Sequence, residues 1–264
     1  MVVAVDGGFG SVDALDWAAA QAMVCGAELR IVHAFHAPSA LDPFALVAAT
    51  GIEFAAIGTA ASVVDDAAAR VRYIAPEVAV TTRIMPGSSA SAILQEAPPS
   101  ALVVLGRPVH GSSRGRTVAK VLGRSRGPVA VVSFVGEIEP GPSGGRVVLA
   151  YDGERGSETA VDVAFREARR RGIDLTALLL DTAPRQGVRL DRWRQRFPEV
   201  AVRDEVVTGP VGQRIVAESH GAALLVLPEA QRPHRPFRRR LRPWARAVVE
   251  TAASPILLVP DRHS

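Results

Sequence analysis

Short apolar runs recur along the first half of the chain at Leu29 to Val32, Val78 to Thr82, Leu102 to Leu105 and Val129 to Val132. They lack the polar alternation of half-exposed strands, so each is predicted to be a parallel strand buried on both faces. Val2 to Val5 opens the chain with a fifth such run. The segments between them have a helical period. Ser11 to Cys25 places Ala14, Leu15, Ala18 and Ala22 on one face, with Ser11 as the expected N-cap and Gly26 as the stop. Arg114 to Leu122 is expected to be the helix before the last of these strands. Strands joined by helical connections imply βαβ crossovers and an open, doubly wound parallel sheet.

The pattern then repeats. Val2 to Leu29 aligns with Val148 to Leu175 without a gap, pairing Asp6 with Asp152, Gly7 with Gly153, Gly10 with Gly156, Ser11 with Ser157 and Gly26 with Gly172. Later blocks pair Gly87 with Gly209, Ala101 to Leu105 with Ala223 to Leu227, and Pro128 to Val132 with Pro255 to Val259. The offset falls from 146 to 122 and rises to 127, so the first copy carries 24 extra residues, largely between Phe35 and Thr59, and the second carries 5 before its last strand. A period this long means duplicated domains and not a solenoid. The expected division is a first domain at 1–135, a linker at 136–145 rich in Gly and Pro, and a second domain at 146–264.

Composition narrows the class. Of 264 residues, 48% are hydrophobic and 22% charged, enough apolar material for folded cores and too little charge imbalance for general disorder. Met1 leads directly into a strand, and the apolar stretch from Pro43 to Val64 carries Glu53 and lacks basic flanks, so a cytoplasmic protein with no membrane span is expected. The single Cys25 cannot form an internal disulfide and is expected to pack in a helix. Charge is uneven: 10 basic and 12 acidic residues precede position 140, against 21 and 15 after it.

The strand, Asp-Gly turn and helix start of Val2 to Ser11, followed by Ala14-Leu15-Asp16-Trp17-Ala18, resemble the opening of universal stress proteins, and Ala150 to Ser157 repeats it. Gly87, the Leu-Val-Val-Leu-Gly strand ending at Gly106 and the Pro-Val-Ala-Val-Val strand at Pro128 extend the resemblance over nearly the whole chain. The tandem arrangement is similar to that of actinobacterial members. The resemblance implies two flavodoxin-like (adenine nucleotide alpha hydrolase-like) α/β domains, each a doubly wound parallel sheet of five strands in the order 3-2-1-4-5. It also implies a pseudo-dimer through the terminal strands, with a homodimer and an unidentified protein partner as further expectations, and ATP or another adenine nucleotide at the carboxyl ends of the strands.

The family's nucleotide-binding branch carries the loop G-x-x-G-x9-G-[ST] after strand 4. In the first copy the loop runs from Gly106 to Thr117, about four residues short by gap placement, with Val109 at the second glycine position and Arg116 at the hydroxyl position. Gly111, Ser112 and Ser113 remain good phosphate donors, and Gly115 and Thr117 stand near the third glycine and the hydroxyl. With Asp6, Gly7 and Gly106 they form the expected nucleotide site. Asp6 has a plainer reading as well, ordering its own turn through its side chain. The second copy has no glycine from Pro228 to Trp244, and its prolines remove backbone donors, so a site at Asp152 is not expected. That segment instead gathers arginines, among them Arg235, Arg238, Arg239, Arg240 and Arg242, a candidate grip for nucleic acid or another polyanion whose plainer reading is a solvated face.

His33 and His36 lack further ligands for a metal, Trp17 is expected to pack on the sheet or the neighbouring domain, and Trp193 to anchor the second copy's second helix while neighbouring arginines face water. No nucleophile elbow, Walker lysine or HExxH is present. The reading is a stress-response regulator and not an enzyme, slow ATP hydrolysis aside, with a nucleotide-independent interaction module as the alternative.

Overall fold

The computed structural model describes residues 1–35, 45–107, 114–132, 145–152, 157–180, 190–229 and 243–260. Two compact units divide the chain, Met1–Val121 and Leu122–Ser264. The first contains β1 (Val2–Ala4), α1 (Phe9–Cys25), β2 (Leu29–Phe35), α2 (Ala45–Ile74), β3 (Val80–Pro86), α3 (Ser89–Glu96), β4 (Val103–Gly106) and all but the last residue of α4 (Arg114–Leu122). Its strands lie in the order β3-β2-β1-β4, all paired in parallel. β3 is an edge strand whose residues alternate between half-buried and exposed, so the expectation of burial on both faces fails there: no further strand covers its outer side.

The second unit begins with β5 (Val129–Val132) and continues with β6 (Arg146–Tyr151), α5 (Glu158–Arg171), β7 (Leu175–Leu180), α6 (Asp191–Arg196), β8 (Val202–Val207), α7 (Val211–Ser219), β9 (Ala222–Pro228), α8 (Pro243–Thr251) and β10 (Ile256–Val259). Its strand order is β5-β10-β9-β6-β7-β8. All pairs are parallel except β5 with β10, where Val131 opposes Ile256 and Val129 opposes Leu258. The mostly parallel, flavodoxin-like α/β fold is the one expected. By packing, however, the strands divide four and six, since β5 closes the edge of β10.

The two sets of ladders share one register. Val2 pairs with Arg30 and Val103, and Val148 with Thr176 and Leu225; Leu29 pairs with Val80, and Leu175 with Val202. These are the equivalences of the sequence repeat, now fixed by hydrogen bonding. Gly26 and Gly172 close α1 and α5 in the left-handed conformation at φ 60° and 63°, which only glycine adopts without strain. At the other end of α1 the expected Ser11 cap is corrected. The helix starts at Phe9 with Gly8 as cap, and the Ser11 hydroxyl turns back to donate to the Gly8 carbonyl at 2.7 Å.

Apolar burial follows the strands. Val2, Val3, Ile31, Val32, Val103 and Val104 are buried in the first unit, and Val147 to Ala150 and Leu224 to Leu227 in the second. Phe165 of α5 and Phe197 stack at 5.7 Å, and Trp193 of α6 is buried with the Arg192 guanidinium 3.8 Å above its ring, as expected of an anchor beneath a charged face. Neighbouring arginines are matched by acids, with Arg192 on Glu158, Arg196 on Asp162 and Arg194 on Asp204.

Candidate functional site at the carboxyl ends of strands 1 and 4

In a 3-2-1-4 sheet the chain leaves β1 and β4 in opposite directions, and the diverging loops open a crevice at the carboxyl ends of those strands. The first unit has a shallow cleft at that place, with about 60 Å³ of enclosed space. That is well below the about 300–1,000 Å³ of usual small-molecule sites, so a ligand seated there lies largely in the open mouth. Ala4, Val32, Ala34, Ile93 and Leu105 form an apolar floor, and Asp6, Ser11, Ser89 and Thr117 bring polar groups to it. The first turns of α1, α3 and α4 supply Ser11, Ser89 and Thr117, and none of these three turns contains an acidic residue. The partial positive charge of α3 and α4 therefore acts on the cleft without a counter-charge in their first turns, whereas at α1 the Asp6 carboxylate on the cap N–H offsets it. Ser88 caps α3, its hydroxyl oxygen accepting from the Ser91 N–H at 3.3 Å, which fixes where Ser89 stands.

Asp6 is exposed at the cleft and accepts a hydrogen bond from the Gly8 N–H at 3.0 Å, so its side chain does order its own turn. Gly7, at φ 78°, sits in that turn under Val63 of α2. Gly106 is glycine for a reason of packing: a Cβ there would lie 2.2 Å from the Gly10 carbonyl oxygen, so the end of β4 presses directly on the first turn of α1. Arg107 follows, half-buried, and burial lowers its pKa from the ordinary arginine value.

Of the residues the sequence singled out, the structure brings Asp6, Gly106 and Thr117 together in the cleft. Gly7 supports the turn beside it, and Gly115 lies in the first turn of α4. Gly111, Ser112, Ser113 and the arginines at 235, 238, 239, 240 and 242 fall outside the described residues, as does His36. His33 is a structural histidine, its Nδ1–H donating to the Val5 carbonyl at 2.9 Å, and no group of metal-ligating side chains occurs among the described residues. Cys25 accepts from Gln21 Nε2 at 3.2 Å in α1. Sequence reasoning missed Ser89 as a wall of the cleft and Gly10 as the partner of Gly106. The signal for Ser89 was present, a glycine and a capping serine ahead of a helix that points at the switch between strands 1 and 4.

The sequence model of the universal stress protein family matches residues 1–133, just over half of the chain. The chain belongs to the universal stress protein family. A universal stress protein of Mycobacterium tuberculosis is 28% identical over 171 residues, covering 56% of this chain and 58% of the relative, so the match spans less than two thirds of that relative's length. Another, from Mycobacterium bovis, is 28% identical over 256 residues and covers 86% of this chain and 85% of the relative. Among solved structures, a universal stress protein of Archaeoglobus fulgidus superposes with a TM-score of 0.71 over 98% of both chains at 14% identity, a likeness of fold. Among the described residues of this family member, no helix is long and apolar enough to cross a membrane.

Proposed function

We propose that this universal stress protein is a regulator whose first repeat senses an adenine nucleotide in the cleft at the ends of β1 and β4. The observation that carries the reading is the convergence of Asp6, Ser11, Ser89 and Thr117 on one apolar floor. The floor suits a nucleoside, Asp6 a ribose or base, and the Thr117 hydroxyl on α4 a phosphate, with Gly111, Ser112, Ser113 and Gly115 as the proposed further phosphate donors. Affinity is expected to be low or the ligand unusual, because the loop is shorter than the family's and Arg116 stands at its hydroxyl position. Among the described residues the cleft presents no nucleophile–base pair, which favours regulation over catalysis. Calorimetric titration with ATP, ADP, AMP and cyclic AMP tests the reading. Heat that disappears in Asp6→Ala and weakens in Thr117→Val is expected, and no heat at millimolar ligand sinks it.

A second reading rests on the charge of the second half, 21 basic against 15 acidic residues: an arginine-rich segment that docks a polyanion independently of nucleotide. Binding to DNA or RNA should then fall steeply with salt and lose slope when Arg238, Arg239 and Arg240 become Ala. A flat salt response argues against it.

A further inference from the structure

Because the two repeats share one ladder register, every strand residue of the cleft has a defined counterpart in the second unit. Ala34 on the cleft floor corresponds to Leu180, which is 2% exposed, and Gly106 corresponds to Pro228. The helices follow suit. Ser89 at the start of α3 corresponds to Val211 at the start of α7. Thr117 corresponds to Trp244, since the sequence of half-buried, buried and exposed positions from 117 to 122 recurs from 244 to 249. Trp244 packs closely on α7, where a Cβ on Gly212 would lie 3.5 Å from the Trp244 Cβ. The remaining polar pair is turned inward: Ser157 and Asp152 are both buried, and the Ser157 hydroxyl donates to Asp152 Oδ1 at 2.6 Å. Their counterparts differ, Asp6 being exposed and Ser11 donating to a backbone carbonyl.

We infer that Ala34 keeps the floor of the first repeat's cleft open and Thr117 supplies its rim hydroxyl, and that in the counterpart Leu180 fills the floor while Trp244, which lines a groove along α7, supplies no hydroxyl, so that the chain takes one nucleotide and not two. This rests on the nucleotide reading above. Leucine for alanine places a branched side chain on the floor, and valine and tryptophan for serine and threonine remove two rim hydroxyls. A phosphate brought there would lose water without gaining those two donors. The second repeat also serves as a natural control, because it folds with leucine and tryptophan at these places.

Titrating AMP into the full chain is expected to give a stoichiometry of one. Ala34→Leu should weaken binding by at least about tenfold with an unchanged thermal transition, and Asp152→Asn should leave the heat as it was. Ala34→Val serves as the milder variant if the leucine lowers the transition. Two sites, or Ala34→Leu titrating like the parent, would overturn the inference. If the parent chain gives no heat at all, the nucleotide reading fails separately, and the inference is judged by amide chemical shifts on adding free adenine. Shifts at Ser11 and Thr117 without shifts at Ser157 and Trp244 uphold it; equal responses in both repeats, silence included, overturn it.

Discussion

A Cβ built on Gly106 falls 2.2 Å from the Gly10 carbonyl oxygen and 2.7 Å from its carbonyl carbon, and both obstacles are backbone, which cannot rotate aside. Gly106→Ala is therefore expected to push β4 away from α1 at a cost of about 1–3 kcal/mol, seen as a lower midpoint in urea unfolding. Because the same contact sets the edge of the cleft, nucleotide heat should fall with it. A variant as stable as the parent would show that this approach is not tight. Tyr151, 5% exposed at the end of β6, has its pKa raised from 10.0 to about 12, first by burial and then by the Asp204 carboxylate. The folded protein thus keeps the phenol proton where the unfolded chain releases it. The stability this contributes is complete below pH 10 and is lost as pH rises from 10 through 12. Alkaline unfolding followed by circular dichroism should show that loss, and Tyr151→Phe should reduce it. At this scale the sequence named Asp6, Gly106 and Thr117, and these three line one cleft. It could not distinguish a glycine required by an adjacent carbonyl from one required by a ligand, because both leave the same letter.

Among the elements, the two repeats differ most at their second helices. α2 runs through 30 residues, about 45 Å of helix, whereas α6 has 6. Much of the insertion read between Phe35 and Thr59 is therefore helix in α2, whose Val63 lies over the turn at Gly7. A smaller difference lies at the ends of α3 and α7, where Ala97 corresponds to Ser219. Ser219 is fully buried; its hydroxyl donates to the Val216 carbonyl at 2.6 Å and accepts from the Ala253 N–H at 3.0 Å, tying α7 to the turn before β10. Ser219→Ala removes the acceptor of that N–H and should cost about 1–3 kcal/mol, measured by thermal or urea unfolding. A change below about 0.5 kcal/mol, ordinary for a surface site, would show that the hydroxyl does not join these elements. Element type was legible because the period of apolar residues switches cleanly between helix and strand. The start of α1 was not, since its cap is made by Gly8 without a side chain.

For the whole molecule, the boundary of the repeat and the boundary of packing fall at different places. The sequence repeat puts β5 at the end of the first copy, while the compact units part at Val121 and Leu122 and leave β5 with the second. The cause is the β5–β10 ladder: both strands are short, apolar and fully buried, and either one left alone would be an open edge. A fragment of residues 146–264 should therefore self-associate through β10 more strongly than residues 122–264, which retain β5, at the same concentration in size-exclusion chromatography with light scattering. A monomeric 146–264 fragment would show that β10 needs no partner. The sequence by itself determined the duplication, the strand and helix order and the family, because these are written in periodicity and in residues compared at a fixed offset. Tertiary structure alone decided which strand covers which edge, that Gly10 belongs to the cleft, and that Leu180 is buried where its counterpart Ala34 lines the cleft. Those facts depend on distances between residues far apart in the chain, which no local pattern encodes.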